Sequence, residues 1–189
     1  MSIDPEVRGD KVKVYRAHTP EALIDLYGEI PANEITLIDL EGSANELLTT
    51  AINISNLVLI PLKASANDAK QAFKTLKNIR HQEKTAKLSF GVDKHINRAF
   101  VFTSVKAAIK TKAQKAIEQD IKANNETQIP VSLVERNCFE SIVGFSSYLH
   151  TLPSEAATQE QIDKAITNAD ELLKAVLAQL QQGVNKEVA

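Results

Sequence analysis

The chain has 189 residues, 43% hydrophobic and 24% charged, with a formal net charge of −2. That mix predicts one globular domain with a substantial core, residues 1–10 and 184–189 fraying at its ends. No apolar run approaches the ~18 residues a bilayer span needs, the opening MSIDPEVRGDKVKVYRAH has no apolar signal core, and the lone Cys138 excludes an internal disulfide. These features predict a cytoplasmic protein with no membrane partner.

The near-neutral total conceals a polarised chain. Residues 63–122 hold 14 Lys+Arg against 5 Asp+Glu, and the remainder holds 8 against 19. A neutral total therefore hides a basic middle between acidic ends.

In chain order, KVKVYRA (11–17) alternates like a strand, and TPEALIDLYGEI (19–30) opens with Thr19 and Pro20, a helix start. ITLIDL (35–40) predicts a strand buried on both faces, ANELLTTAI (44–52) a short helix and NLVLIPL (56–62) a second buried strand. NDAKQAFKTLKNIRHQE (67–83) predicts a helix with Ala69, Ala72, Phe73, Leu76 and Ile79 on its apolar face. RAFVFTSV (98–105) predicts a strand, TKAQKAIEQDIKAN (111–124) a helix, IPVSLVE (129–135) a strand and CFESIVGF (138–145) a short helix or turn. A last helix runs from 158 to a stop near Gly183. Strands alternating with helices predict an α/β fold, a mostly parallel sheet flanked by helices, with ligands at the carboxyl ends of the strands.

Asp39 and Glu41 fall at one such end. Two residues apart on an extended chain, they point to the same side, which suits a hard cation such as Mg²⁺. Asp39 as a cap of the turn entering the 44–52 helix is the equal alternative. Nucleotide hydrolysis would also demand the loop G-x-x-x-x-G-K-[ST] to hold the phosphates. The six glycines, Gly9, Gly28, Gly42, Gly91, Gly144 and Gly183, include no two at that spacing and none followed by lysine, so these residues contain no such loop.

The series ITLIDLEGSANELLTTAINISNLVLIPLKASANDAKQAFKTLKNIR, then RAFVFTSVKAAIKTKAQKAI, then IPVSLVERNCFESIVGFS resembles, in order, the partition-type deviant Walker ATPases (the ParA/MinD family), over roughly residues 11–180. It is most similar to the branch associated with plasmid partition and conjugative or T-DNA transfer. The resemblance implies a P-loop NTPase-like sheet of the SIMIBI type, here without its first strand and phosphate loop. It implies that Asp39 is the Walker B-like, metal-facing residue, that Thr103 and Arg136 (with Phe139, an R-x-x-F pattern) border a nucleotide pocket beside Asp39 and Glu41, and that ATP and Mg²⁺ are the cofactors. It also implies a homodimer, or a partner chain at the position of the first strand. Without phosphate contacts, which supply most of the catalysis in phosphoryl transfer, the chain is expected not to hydrolyse ATP on its own.

Lys70, Lys74, Lys77 and Lys84, with His81, repeat at helical spacing opposite the apolar face, and Lys106, Lys110, Lys112 and Lys115 extend the basic segment. They are candidates for nonspecific DNA contact; a solvated helix face is the alternative. In the last helix, Ile162, Ile166, Ala169, Leu173, Val176 and Leu180 form a narrow seam, read as packing across the sheet or as a dimer contact. The four histidines have no metal-ligand spacing, and Cys138 reads as a small buried residue. The expectation is a ParA-like protein of plasmid or chromosome partition or conjugative DNA transfer. Two alternatives stand beside it: the C-terminal portion of an active Mg²⁺-dependent partition ATPase, and a non-catalytic interaction module.

Overall fold

The computed structural model describes residues 12–31, 34–40, 46–107, 109–145 and 147–187, with side chains described up to Gly183. They fall into two compact units divided between Ser55 and Asn56.

In the first unit, α1 (Pro20–Glu29) starts as the sequence dictates. The Thr19 hydroxyl accepts the Ala22 N–H at 3.2 Å, and Pro20 occupies the first turn, where its missing donor costs nothing. α2 (Glu46–Ile54) packs beside α1 and buries Ala51 and Ile52. Two expected strands do not form here. Residues 12–17 carry no strand pairing, and the 35–40 run is extended but unpaired, with Ile35 72% and Leu37 89% exposed. An apolar run becomes a strand only when a neighbour completes its hydrogen-bond ladder, and among the described residues none does so for this one.

The second unit is a βαβ arrangement. β1 (Val58–Leu62) and β2 (Arg98–Phe102) pair in parallel, Val58 opposite Arg98 and Leu62 opposite Phe102. The connecting helix α3 (Ala66–Phe90) is 25 residues long, outrunning the expected 67–83 because no breaker intervenes before Gly91. Ser65 caps its start by accepting the Asp68 N–H at 3.1 Å, and Gly91, at φ 68, closes its end in the left-handed conformation.

β1 carries Pro61 without disturbing this pair. Val58 donates to Asn97 O at 2.9 Å and Leu62 O accepts from Thr103 N–H at 2.9 Å, so alternation turns the position of the missing Pro61 donor away from β2.

After α4 (Lys112–Ala123) the chain returns along the other side of β2. The expected 129–135 strand is reduced to parallel bridges at Phe100–Gln128 and Val105–Val134. Ile129 N–H still donates to Phe100 O and Leu133 N–H to Phe102 O, but Pro130 lies between them and interrupts the ladder.

Alternation along β2 sends Phe100 toward Phe73 of α3, ring centroids 5.4 Å apart, and sends Ala99 and Val101 to the opposite face. There, with Ile129, they meet Leu172, Ala175 and Val176 of α6 (Gln159–Glu187). α5 (Asn137–Gly144) and a 3₁₀ turn at Leu149–Thr151 pack on the first half of α6 around Cys138, Leu152, Ala157, Ile162 and Ala165.

The α6 seam holds in part: Ile162 and Ile166 join the cluster around Cys138, and Val176 meets the sheet. Leu173 is 53% exposed, and the sheet is met by the stripe that contains Leu172 and Ala175. The helix also does not stop at Gly183. That glycine lies inside α6 against Asn97, whose Nδ2 is 2.1 Å from where a β-carbon would sit. Its role here is close approach rather than termination.

Candidate functional site

A cleft of about 480 Å³ lies beyond the carboxyl end of β2, between the chain at Ala107, Val134 and Arg136 and α6, and Thr103 is not among its lining residues. Thr103 stands at the end of β2, half-buried, with its hydroxyl 3.5 Å from Leu62 O. Ser104 follows at φ 51, turning the chain, and Val105 N–H then donates to Leu133 O at 3.2 Å. Ala107, Val134 and Arg136 form one wall of the cleft, and Glu160, Asp163, Lys164, Thr167, Asn168 and Glu171 of α6 form the other.

Arg136 sits at the N-cap position of α5, extended and making no side-chain cap. Its Nε is buried without a hydrogen-bond partner among the described residues, a donor left available on the cleft wall. Three residues on, Phe139 packs on the cluster around Cys138. The R-x-x-F pattern thus has a local explanation: the aromatic ring anchors the first turn of α5 while the arginine stays at the cleft. On the α6 wall, Lys164 donates to Glu160 Oε1 at 2.5 Å, and this bond lowers the Glu160 pKa.

Asn168 is the site residue the sequence reading missed. It is 9% exposed; its Oδ1 accepts the Val134 N–H at 2.8 Å and its Nδ2 donates to Ser132 O at 3.0 Å. A side-chain amide offers one donor and one acceptor in this geometry, satisfying the edge of the 132–134 segment that alternation turns away from β2. The signal in the sequence was a lone polar residue on the buried stripe of an amphipathic helix.

The remaining expected residues are more dispersed. Asp39 is exposed, on the unpaired extended segment of the first unit, whereas Thr103 and Arg136 belong to the second. Glu41 lies outside the described residues. Among the described residues no group of three His, Cys, Asp or Glu side chains could hold a metal ion. Mg²⁺ is commonly held by one or two carboxylates, with waters and phosphate oxygens completing its shell, so Asp39 would supply one ligand of such an ion and no more.

The lysines of α3 form a coherent feature. Lys70, Lys74, Lys77 and Lys84, with His81, are all exposed and fall within an arc of about 80° at 100° per residue. The acidic residues of that helix, Asp68 and Glu83, lie outside the arc; Asp68 is held by Ser65 and Glu83 by Arg98. Lys106, Lys112 and Lys115 are exposed near the carboxyl end of β2 and on the first turn of α4. Lys110 differs: its ammonium contacts both carboxylate oxygens of Glu118, at 2.8 and 3.1 Å, so part of its charge is already engaged.

No protein-family model matches the chain. A curated relative, "Protein ParA" of Rhizobium radiobacter, is 30% identical over 150 residues, 79% of this chain and 64% of the relative. The chain therefore spans just under two thirds of the length of that protein, and it is ParA-like in sequence over most of its own.

Proposed function

We propose that this chain is a partition-type protein acting in plasmid or chromosome partition or in conjugative DNA transfer, contacting DNA through the lysine face of α3. The observation that carries the reading is the 150-residue similarity to a ParA protein. It is supported by a row of cations on one exposed helix face with no carboxylate among them, which is the charge pattern a phosphate backbone attracts.

The nucleotide half of the reading is narrower. ATP and Mg²⁺ are the ligands the resemblance implies for Asp39, Thr103 and Arg136, and Arg136 has a buried donor available for one. These 189 residues contain no lysine-bearing phosphate loop, so the chain by itself is proposed to lack ATP hydrolysis. A second reading, the C-terminal portion of an active Mg²⁺-dependent partition ATPase, draws on the greater length of the relative.

Titrating duplex DNA of mixed sequence with the chain at low and at physiological salt tests the proposal. Binding that falls steeply with salt is expected; no binding at low salt would refute it.

A further inference from the structure

The C-terminal end of α3 places three large apolar side chains in solvent within five residues: Leu88 is 75%, Phe90 77% and Val92 52% exposed. The helix end that presents them is well defined. Gly91 N–H donates to Lys87 O at 3.1 Å and Val92 N–H to Ala86 O at 3.4 Å, a Schellman-like closure around the left-handed glycine. Leu88 and Phe90 are two positions apart, about 200° around the helix axis, so they project from opposite sides. Val92 follows the reversal.

This arrangement limits what can cover the tip. A groove on a protein surface covers one side of a helix and would leave Leu88 or Phe90 in water. A tip that is apolar on opposite sides is matched by a medium that surrounds it. Its collar is basic: Lys84 and Lys87 stand exposed just behind it, and Asp93 meets Lys87 at 3.0 Å. Apolar side chains ringed by lysines are the pattern of a protein seated at the headgroup level of an anionic bilayer.

We infer that the α3 tip is a membrane-contact site for an anionic lipid surface, with Leu88 and Phe90 entering the acyl boundary and Lys84 and Lys87 facing the headgroups. Duplex DNA would satisfy the lysines but offers nothing to surround the two apolar side chains. The inference departs from the expectation of no membrane partner. That expectation rested on the lack of a spanning segment, and a surface contact needs none; no described helix is long and apolar enough to cross a membrane.

The chain contains no tryptophan, so Phe90→Trp installs a single reporter at the tip. With vesicles of phosphatidylcholine plus phosphatidylglycerol, its emission is expected to shift to the blue and become protected from iodide, with no change for phosphatidylcholine alone. Two results would overturn the proposal: emission that ignores anionic vesicles, or a blue shift without lipid that grows with protein concentration and so assigns the tip to a second copy. In the original background, Leu88→Ser with Phe90→Ser removes only exposed side chains. It should weaken vesicle sedimentation about tenfold or more with an unchanged Tm; undiminished binding would assign the attraction to the lysines alone and equally overturn the proposal.

Discussion

Arg98 and Glu126 meet side by side, Nε to Oε2 at 2.8 Å and Nη2 to Oε1 at 3.0 Å, with their side chains 9% and 5% exposed. Arg98 also donates to Glu83 at 2.6 Å, and Arg80 donates to Glu126 at 2.7 Å and to Asn124 O at 2.8 Å. The network joins the second half of α3, the start of β2 and the turn after α4. Removing one member strands the others: Arg98→Met leaves Glu83 without its guanidinium and Glu126 with Arg80 alone. A loss of about 3 kcal/mol is expected in urea unfolding, as for other broken buried pairs. A loss no larger than that of an exposed pair would contradict this account of the network.

The same pair sets a pH dependence. Burial alone would raise the Glu126 pKa, but the bonds and charges of Arg98 and Arg80 outweigh it and lower the carboxyl below its ordinary value of 4.5. A carboxylate lowered on folding stabilises fully above its unfolded pKa and loses that contribution as pH falls through the folded one. Stability should therefore decline below about pH 4.5 more steeply in the original chain than in Glu126→Gln. Parallel acid limbs in denaturation midpoints measured against pH would contradict the assignment.

Asn168→Ala removes both partners of the segment beside β2, leaving Val134 N–H and Ser132 O unsatisfied in a half-buried strip. The expected cost is about 2 kcal/mol, with faster hydrogen exchange at Val134 than at Phe100. Unchanged exchange at Val134 would mean that the side-chain amide does not hold this outer edge of the segment.

How much of this was legible in the sequence follows from which forces are local. Thr19–Pro20 is a start signal readable within a few residues, and α1 formed close to expectation; Ser65 and Gly91, which bound α3 at 66–90 rather than the expected 67–83, went unread. β1 and β2 were legible because each apolar run is completed by the other. The 35–40 run has the same composition, but strand formation depends on a neighbour that composition does not reveal. The α6 seam was right at Ile162, Ile166 and Val176 and wrong at Leu173 for a related reason: Leu172, Leu173, Val176 and Leu177 offer apolar atoms on several sides, and only the sheet decides which side is buried. Arg98, Glu83 and Glu126 are separated by 15 and 28 positions and carried no sequence signal. At the candidate site, the R-x-x-F pattern marked Arg136, while the Asn168 amide that holds the neighbouring chain went unread.

Magnesium ATP probes the nucleotide half of the account. A ligand bound only by the folded state stabilises by about 2.7 kcal/mol at 100 times its Kd, a shift that melting curves resolve. With no phosphate loop in these residues, the Tm is expected to stay unchanged at millimolar ATP and Mg²⁺. An upward shift that disappears in Asp39→Ala would show instead that Asp39 belongs to a working site.

The central claim, that the lysine face of α3 meets DNA, is tested most directly by the salt dependence of duplex binding for the original chain and for a variant with Lys70, Lys74, Lys77 and Lys84 all changed to Ala. All four are exposed, so the fold should be retained. Each phosphate contact contributes about −0.9 to the slope of log K against log salt. The account predicts binding at low salt by the original chain and a clearly shallower slope for the variant, by about one unit for each lysine that makes a contact. Equal slopes and equal affinities would place the DNA contact elsewhere or remove it, and would contradict the proposal.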